Sequence, residues 1–171
     1  MSTAQDEALL IREADLSDAG DAREVVDVLD SYASDPRGGG VPLAADVRLR
    51  LIPALREHPT TLVLLAFLDG KAVGLTIGFI GFSSFAARRL LNIHDLAVRP
   101  GFRGRGIGRA LLTAAENRAR QLGCFKLTLE VQDDNTPART LYERYGFRDV
   151  VYGDSGPTRF LSKKLDHGDS P

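Results

Sequence analysis

The chain has 171 residues, 43% hydrophobic and 26% charged, with a formal net charge of −1. That length and balance fit one domain over 1–171, with an ordered core of about 8–165, and near-neutrality excludes bulk attraction to nucleic acid or an anionic membrane. A single cysteine, Cys124, rules out an internal disulfide and cannot by itself make a thiolate metal site, so no metal is expected.

Residues 1–7 and 166–171 are polar and read as frayed ends. Leu9 to Ala14 reads as a short first strand. Asp15 or Ser17 then caps a helix whose apolar face is Leu16, Ala19, Ala22, Val25, Val26 and Leu29, with its acids on a solvated face. Asp35 to Gly40 is a flexible loop. A second helix follows from about Leu43, and Pro53 should kink or end it near Leu51, because proline removes a ladder donor and clashes with the preceding turn.

Thr60–Leu68 and Lys71–Phe82 have strand composition, and Asp69-Gly70 between them is a hairpin signal. Gly74, Gly78 and Gly81 weaken the second strand; they leave room for a ligand or a neighbouring backbone, or accommodate sheet curvature. The longest apolar run, Leu62 to Leu68, is too short to span a bilayer, and the acidic N-terminus is unlike a signal peptide, so a cytoplasmic location without a membrane partner is expected.

Leu91 to Val98 reads as a strand bounded by Arg99-Pro100-Gly101. Ile107, Ala110, Leu111, Ala114, Ala115, Ala119 and Leu122 then recur at helical spacing, with Gly123 as the stop. Cys124–Gln132 reads as a strand whose cysteine is a buried structural thiol. A helix over Pro137–Tyr145 ends in Gly146-Phe147, a helix stop with an apolar clasp, and Phe147–Tyr152 and Thr158–Leu165 read as closing strands. The order of elements is α+β with a mixed sheet.

Between the Val98 strand and the next helix stand Arg103, Gly104, Arg105, Gly106, Ile107, Gly108 and Arg109. The first turn of a helix carries N–H groups with no intrahelical partner and a partial positive charge. Glycines let an anion approach those groups, and arginines add charge, so this junction is built for phosphate. The local charge agrees: residues 1–35 hold ten acids against Arg12 and Arg23, while 88–109 hold six arginines against Asp95. A dinucleotide fingerprint would need glycine in place of Arg109 and an earlier first glycine, although Glu130 stands where that fold keeps its ribose-binding acid. A Walker loop fails for want of Gly-Lys-Ser/Thr, and an RNA platform fails because only Phe102 accompanies the arginines.

Arg103, Gly106 and Gly108, in the order Arg-x-x-Gly-x-Gly after Leu96-Ala97-Val98, resemble the acyl-CoA-binding motif of the GNAT superfamily of N-acetyltransferases. Asn135 to Phe147 resembles that family's Asn-x-x-Ala-x-x-Leu-Tyr-x-x-x-Gly-Phe block. The resemblance implies acetyl-CoA as co-substrate, with its pyrophosphate on the backbone from Arg103 to Arg109 and its pantetheine arm paired along Leu96, Ala97 and Val98. It also implies a mostly antiparallel sheet splayed between the fourth and fifth strands and flanked by about four helices, contact of Asn135 with the arm, and a homodimer. Spacing alone favours Tyr142 as a core aromatic on one helical face with Ala138, Leu141 and Tyr145; its match to the family's tyrosine makes it the candidate general acid.

Phe82-Ser83-Ser84-Phe85 through Asp95 is most similar to the diamine and polyamine acetyltransferase branch, with His94 in place of its glutamate and Asn92 in place of an aromatic or aliphatic residue. That likeness puts Phe85, His94 and Asp95 at the acceptor. A carboxylate inside an apolar strand is costly unless paired, which favours substrate contact for Asp95. Histidine is a base suited to neutral pH, so His94 is either a proton acceptor or a satisfied sheet histidine. Strand alternation lets only one of the two face a given side. The implied reaction is direct acetyl transfer to a primary amine of a small molecule, a di- or polyamine or an amino-acid-like acceptor. The alternatives are a non-catalytic acyl-CoA sensor and a dinucleotide-dependent oxidoreductase.

Overall fold

Asp69 and Gly70 both take positive φ, 49° and 76°, the combination a two-residue type I′ hairpin turn requires. They join β2 (Thr61–Leu68) to β3 (Lys71–Ser83), and every residue from Leu62 to Leu68 is buried. Such a run without polar alternation marks a strand covered on both faces. The computed structural model describes residues 8–154 and 156–165, and the ends read as frayed lie outside it. The chain divides after Val131 into two units, taken here in turn.

In the first unit, β1 (Leu10–Glu13), β2, β3, β4 (Arg88–Val98) and β5 (Leu127–Leu129) form a sheet in that order, antiparallel except for β4 with β5. On one face α1 (Ala19–Ala33) and α2 (Ala45–Glu57) bring Val25, Val28 and Leu55 onto Val63, Leu65, Phe67, Leu75, Ile77 and Ala97. On the other lies α3 (Ile107–Gln121), with Ile107 and Leu111 against Gly74. A Cβ at Gly74 would lie 3.0 Å from the Ala97 oxygen, and one at Gly78 2.9 Å from the Asn92 oxygen. These glycines therefore make room for the neighbouring strand.

Several expectations change. The cap of α1 is Asp18, whose carboxylate accepts from the Asp21 amide, while Asp15 accepts from the Ser17 amide and hydroxyl. Its buried line is Asp21, Val25 and Val28, so one acid leaves the solvated face. Asp21 is tolerated there because Arg12 donates to both its oxygens at 2.6 and 2.8 Å and the Asp15 amide donates at 2.8 Å. Helix α2 runs through Pro53 to Glu57; the carbonyl that proline leaves unpaired belongs to Leu49, an exposed residue on the outer side of the helix. The Asp35–Gly40 loop holds a 3₁₀ turn, Pro36–Gly38, capped by Asp35. The strand expected from Cys124 shrinks to Leu127–Leu129; Cys124 is half-buried ahead of it, and burial raises its thiol pKa.

In the second unit, α4 (Thr136–Tyr145) has Asn135 as its cap and stops at Gly146, φ 115°. The Gly146 and Phe147 amides both donate to the Tyr142 carbonyl, and Phe147 closes edge-on against Tyr142 at 5.8 Å. The helix stop with an apolar clasp is as expected. The two closing strands are not formed among the described residues; Val151 and Pro157 make a single bridge, and Val150, Val151, Tyr152, Phe160 and Leu161 are exposed. Strand composition alone does not make a strand without a partner edge and a buried face.

Candidate functional site

The site begins where β4 and β5 part. Their parallel pairing covers only Leu91–Ile93 against Leu127–Leu129, with Asn92 Nδ2 donating to Thr128 Oγ1 at 3.2 Å. Beyond Ile93, β4 continues five residues without a β5 partner, so the sheet is open there. The Arg99 amide donates to the Val73 carbonyl at 2.8 Å. Alternation along the strand therefore turns the peptide groups of Leu96 and Val98 to the open edge, with Ala97 toward β3. An extended chain bearing amides can pair with such an edge.

At the same point β4 bulges. Ile77 pairs with Asp95 and Gly78 with Ile93, leaving His94 as the extra residue. A bulge breaks strict alternation. Asp95 lies opposite Ile77, and the His94 ring meets Phe79 edge-on at 5.8 Å, both on the face covered by α1 and α2. The alternation argument, which allowed only one of His94 and Asp95 on that face, is corrected by this bulge.

Burial raises the Asp95 pKa above the ordinary carboxylate range, and His94 partly offsets that. On the same face Tyr32 of α1 packs at the rim of the core, its phenol pushed up by burial and then by Asp95 and Asp35, with Arg103 opposing. Phe79 also carries His58 from the end of α2, ring to ring at 4.7 Å. Tyr32 was legible as the next position after Val25 and Val28 on a helical face; nothing in the sequence flagged His58. Phe85, 103% exposed, lies in the β3–β4 turn, and Asp95 is seven residues beyond the start of β4, roughly 23 Å along a strand. The structure does not bring Phe85 together with His94 and Asp95.

The loop after β4 carries positive φ at Gly104 (76°) and Gly106 (80°), and a Cβ at either would meet nothing within 4 Å. Gly106 caps α3 with no side-chain hydrogen bond, so the first-turn amides of Ile107, Gly108 and Arg109 have no side-chain cap. No acid stands in that turn. Arg105 stacks over Phe102 at 5.6 Å. An uncapped helix start, two left-handed glycines and open space fit a phosphate group.

A model of the acetyltransferase (GNAT) family matches residues 25–147. The chain belongs to this family. A Bacillus subtilis (strain 168) protein described as the uncharacterized N-acetyltransferase YhfO is 32% identical over 139 residues, 81% of this chain and 89% of that one. Streptothricin acetyltransferase of Streptomyces lavendulae is 45% identical over 81 residues, 47% of this chain and 43% of that enzyme. An aminoglycoside N-acetyltransferase solved in complex with CoA shares the fold at a TM-score of 0.73 and 16% identity, over 96% of this chain and 100% of that one.

This GNAT protein is therefore an N-acetyltransferase, and acetyl-CoA is its co-substrate. The α+β fold with an open mixed sheet is as expected, with four α-helices among the described residues. Family membership replaces the dinucleotide and sensor alternatives; Glu130 is an exposed residue just past β5. Among the described residues no cluster of three His, Cys, Asp or Glu side chains is arranged for a metal, and no helix is long and apolar enough to cross a membrane. In the second unit, Asn135 Oδ1 accepts from the Ala138 amide at 3.4 Å, and Tyr142 is 9% exposed.

Proposed function

We propose that the protein acetylates a primary amine of a small cationic molecule directly from acetyl-CoA, without a covalent enzyme intermediate. The observation that carries this reading is Asp95: a half-buried carboxylate with raised pKa, turned by the bulge to the same face as His94, beside the open edge of β4. Such a carboxylate is costly until a cation pairs with it, which is what a protonated amine supplies.

Acetyl-CoA supplies the acetyl group as a thioester. Backbone N–H groups from Arg103 to Arg109 hold its pyrophosphate, and Arg105 and Arg109 add positive charge. The Leu96 amide and carbonyl and the Val98 amide hold the pantetheine arm, with Ala97 between them and Asn135 as a further contact. On the acceptor side Asp95 binds and orients the ammonium, and His94 takes its proton. Removing that proton matters, because a lysine-like amine is neutral in only about one molecule in two thousand at pH 7, a deficit of roughly 4 to 5 kcal/mol. Tyr142 donates to the departing sulfur: a phenol of pKa near 10 stays protonated beside a thiol of about 8.5.

The Phe82-to-Asp95 likeness points to a di- or polyamine acceptor, and the one acid fewer and the distance of Phe85 from Asp95 weaken it. Streptothricin and aminoglycoside acetyltransferases among the similar proteins widen the class to amine-bearing antibiotics. We assign residues 1–171 to one catalytic domain, cytoplasmic and homodimeric.

The test is release of free thiol from acetyl-CoA across polyamines, aminoglycosides, streptothricin, amino acids and peptide N-termini. We expect turnover with cationic amines, and an acceptor KM raised roughly tenfold or more in Asp95→Asn. Turnover that ignores Asp95→Asn sinks the acceptor assignment.

A further inference from the structure

We propose that Asp35 is a positioning residue for acetyl-CoA, acting through Arg103. The inference rests on the reading of the β4 edge and the loop as the donor site. Arg103 opens that loop, yet two of its donors are directed elsewhere. Nε donates to the Val98 carbonyl at 3.0 Å and Nη1 to Asp35 Oδ2 at 3.0 Å, across 68 residues of sequence. The side chains of the pair are 30% and 13% exposed.

Asp35 is itself held on every side. Its Oδ1 accepts from the Arg37 amide at 3.0 Å, its amide donates to the Tyr32 carbonyl at 3.0 Å, and its carbonyl accepts from the Gly38 and Gly40 amides at 2.8 and 2.9 Å. The Arg37 amide, then Arg103, hold its carboxyl below the ordinary range, so it is anionic at neutral pH. A fixed anion of this kind sets the guanidinium in one orientation.

The consequence falls on the open edge. Val98 supplies the last carbonyl of β4 that faces away from β3, and Arg103 occupies it. The edge left to an incoming chain is the Leu96 amide and carbonyl and the Val98 amide. Pairing along a strand edge is prone to slip where nothing marks its end. Arg103 marks that end, so an amide-bearing arm aligns in one register and its diphosphate arrives at the first-turn amides of α3. Asp35 keeps the stop in place from outside the site.

The test uses the full chain, with CoA affinity by titration calorimetry and KM for acetyl-CoA and for acetyl-pantetheine, which lacks the nucleotide and diphosphate. Asp35→Asn keeps the oxygen that accepts from Arg37 and removes the charge. It should weaken CoA binding about tenfold, raise both donor KM values by a similar factor and leave the acceptor KM within about twofold. Arg103→Lys, which loses the fork, should do the same, and the double variant should be no worse than either single one. Tighter CoA binding in Asp35→Asn, as expected of a guanidinium withheld from phosphate, overturns the proposal. So does an unchanged affinity, a loss seen only with the complete CoA donor, or fully additive losses. A wild-type protein that does not bind CoA would instead overturn the donor-site reading beneath it.

Discussion

Asp95 and Tyr142 carry the proposed roles whose tests separate function from stability. The raised pKa of Asp95 means that its charged form is disfavoured in the fold, so its cost is absent at low pH and appears as pH rises past the ordinary carboxylate range. Asp95→Asn should therefore raise the melting temperature of the ligand-free protein at pH 7 while impairing acceptor use, and a thermal melt beside the kinetic assay checks both signs. Tyr142→Phe keeps the ring that meets Phe147 and removes only the hydroxyl. We expect turnover to fall about a hundredfold with CoA affinity within about twofold, the pattern of a lost proton donor. Equal losses in both would make Tyr142 a packing residue.

Elements carry the next set of effects, and two of them rest on single residues. Gly106 caps α3 at φ 80°, where a β-branched side chain is strained, and the space around it is open. Gly106→Val should cost about 1–3 kcal/mol in stability and weaken CoA binding at least about tenfold by calorimetry. Unchanged affinity would remove the phosphate from this loop. Asp21 ties α1 to β1 through Arg12, which depresses its pKa. A lowered folded pKa gives stability that is full above the unfolded value of about 3.9 and is lost as pH falls through the folded one. The gap between wild type and Asp21→Asn in urea melts, about 1–3 kcal/mol at pH 7, should therefore narrow steadily below about pH 4. A gap that persists at pH 2 would assign it to packing.

At the scale of the whole molecule, ligand binding and stability are linked by mass action. CoA at 100 times its dissociation constant should stabilise the fold by about 2.7 kcal/mol, seen as a higher melting temperature, and NAD at the same concentration should give no shift. A shift with NAD would reopen the dinucleotide reading.

Local chemistry was legible in the amino-acid order because it depends on near neighbours. Asp69-Gly70 announced a hairpin, Val98 the end of a strand, the glycine run a loop into a helix, and Gly146-Phe147 a helix stop, since turn angles and orphan amides are properties of a few adjacent residues. Features that needed a distant partner were not legible. The bulge at His94 arises from the register of β4 on β3, and it alone puts His94 and Asp95 on one face. The Arg103–Asp35 pair spans 68 positions, Asp21 is tolerated in a buried place because Arg12 and the Asp15 amide reach it, and the described residues beyond Phe147 have strand composition without a strand. Sequence by itself determined the local frame of the proposed donor site, a strand end, a glycine loop and a helix start. Tertiary structure decided which face His94 and Asp95 share, because which carboxylate lies beside which imidazole depends on strand register and helix packing.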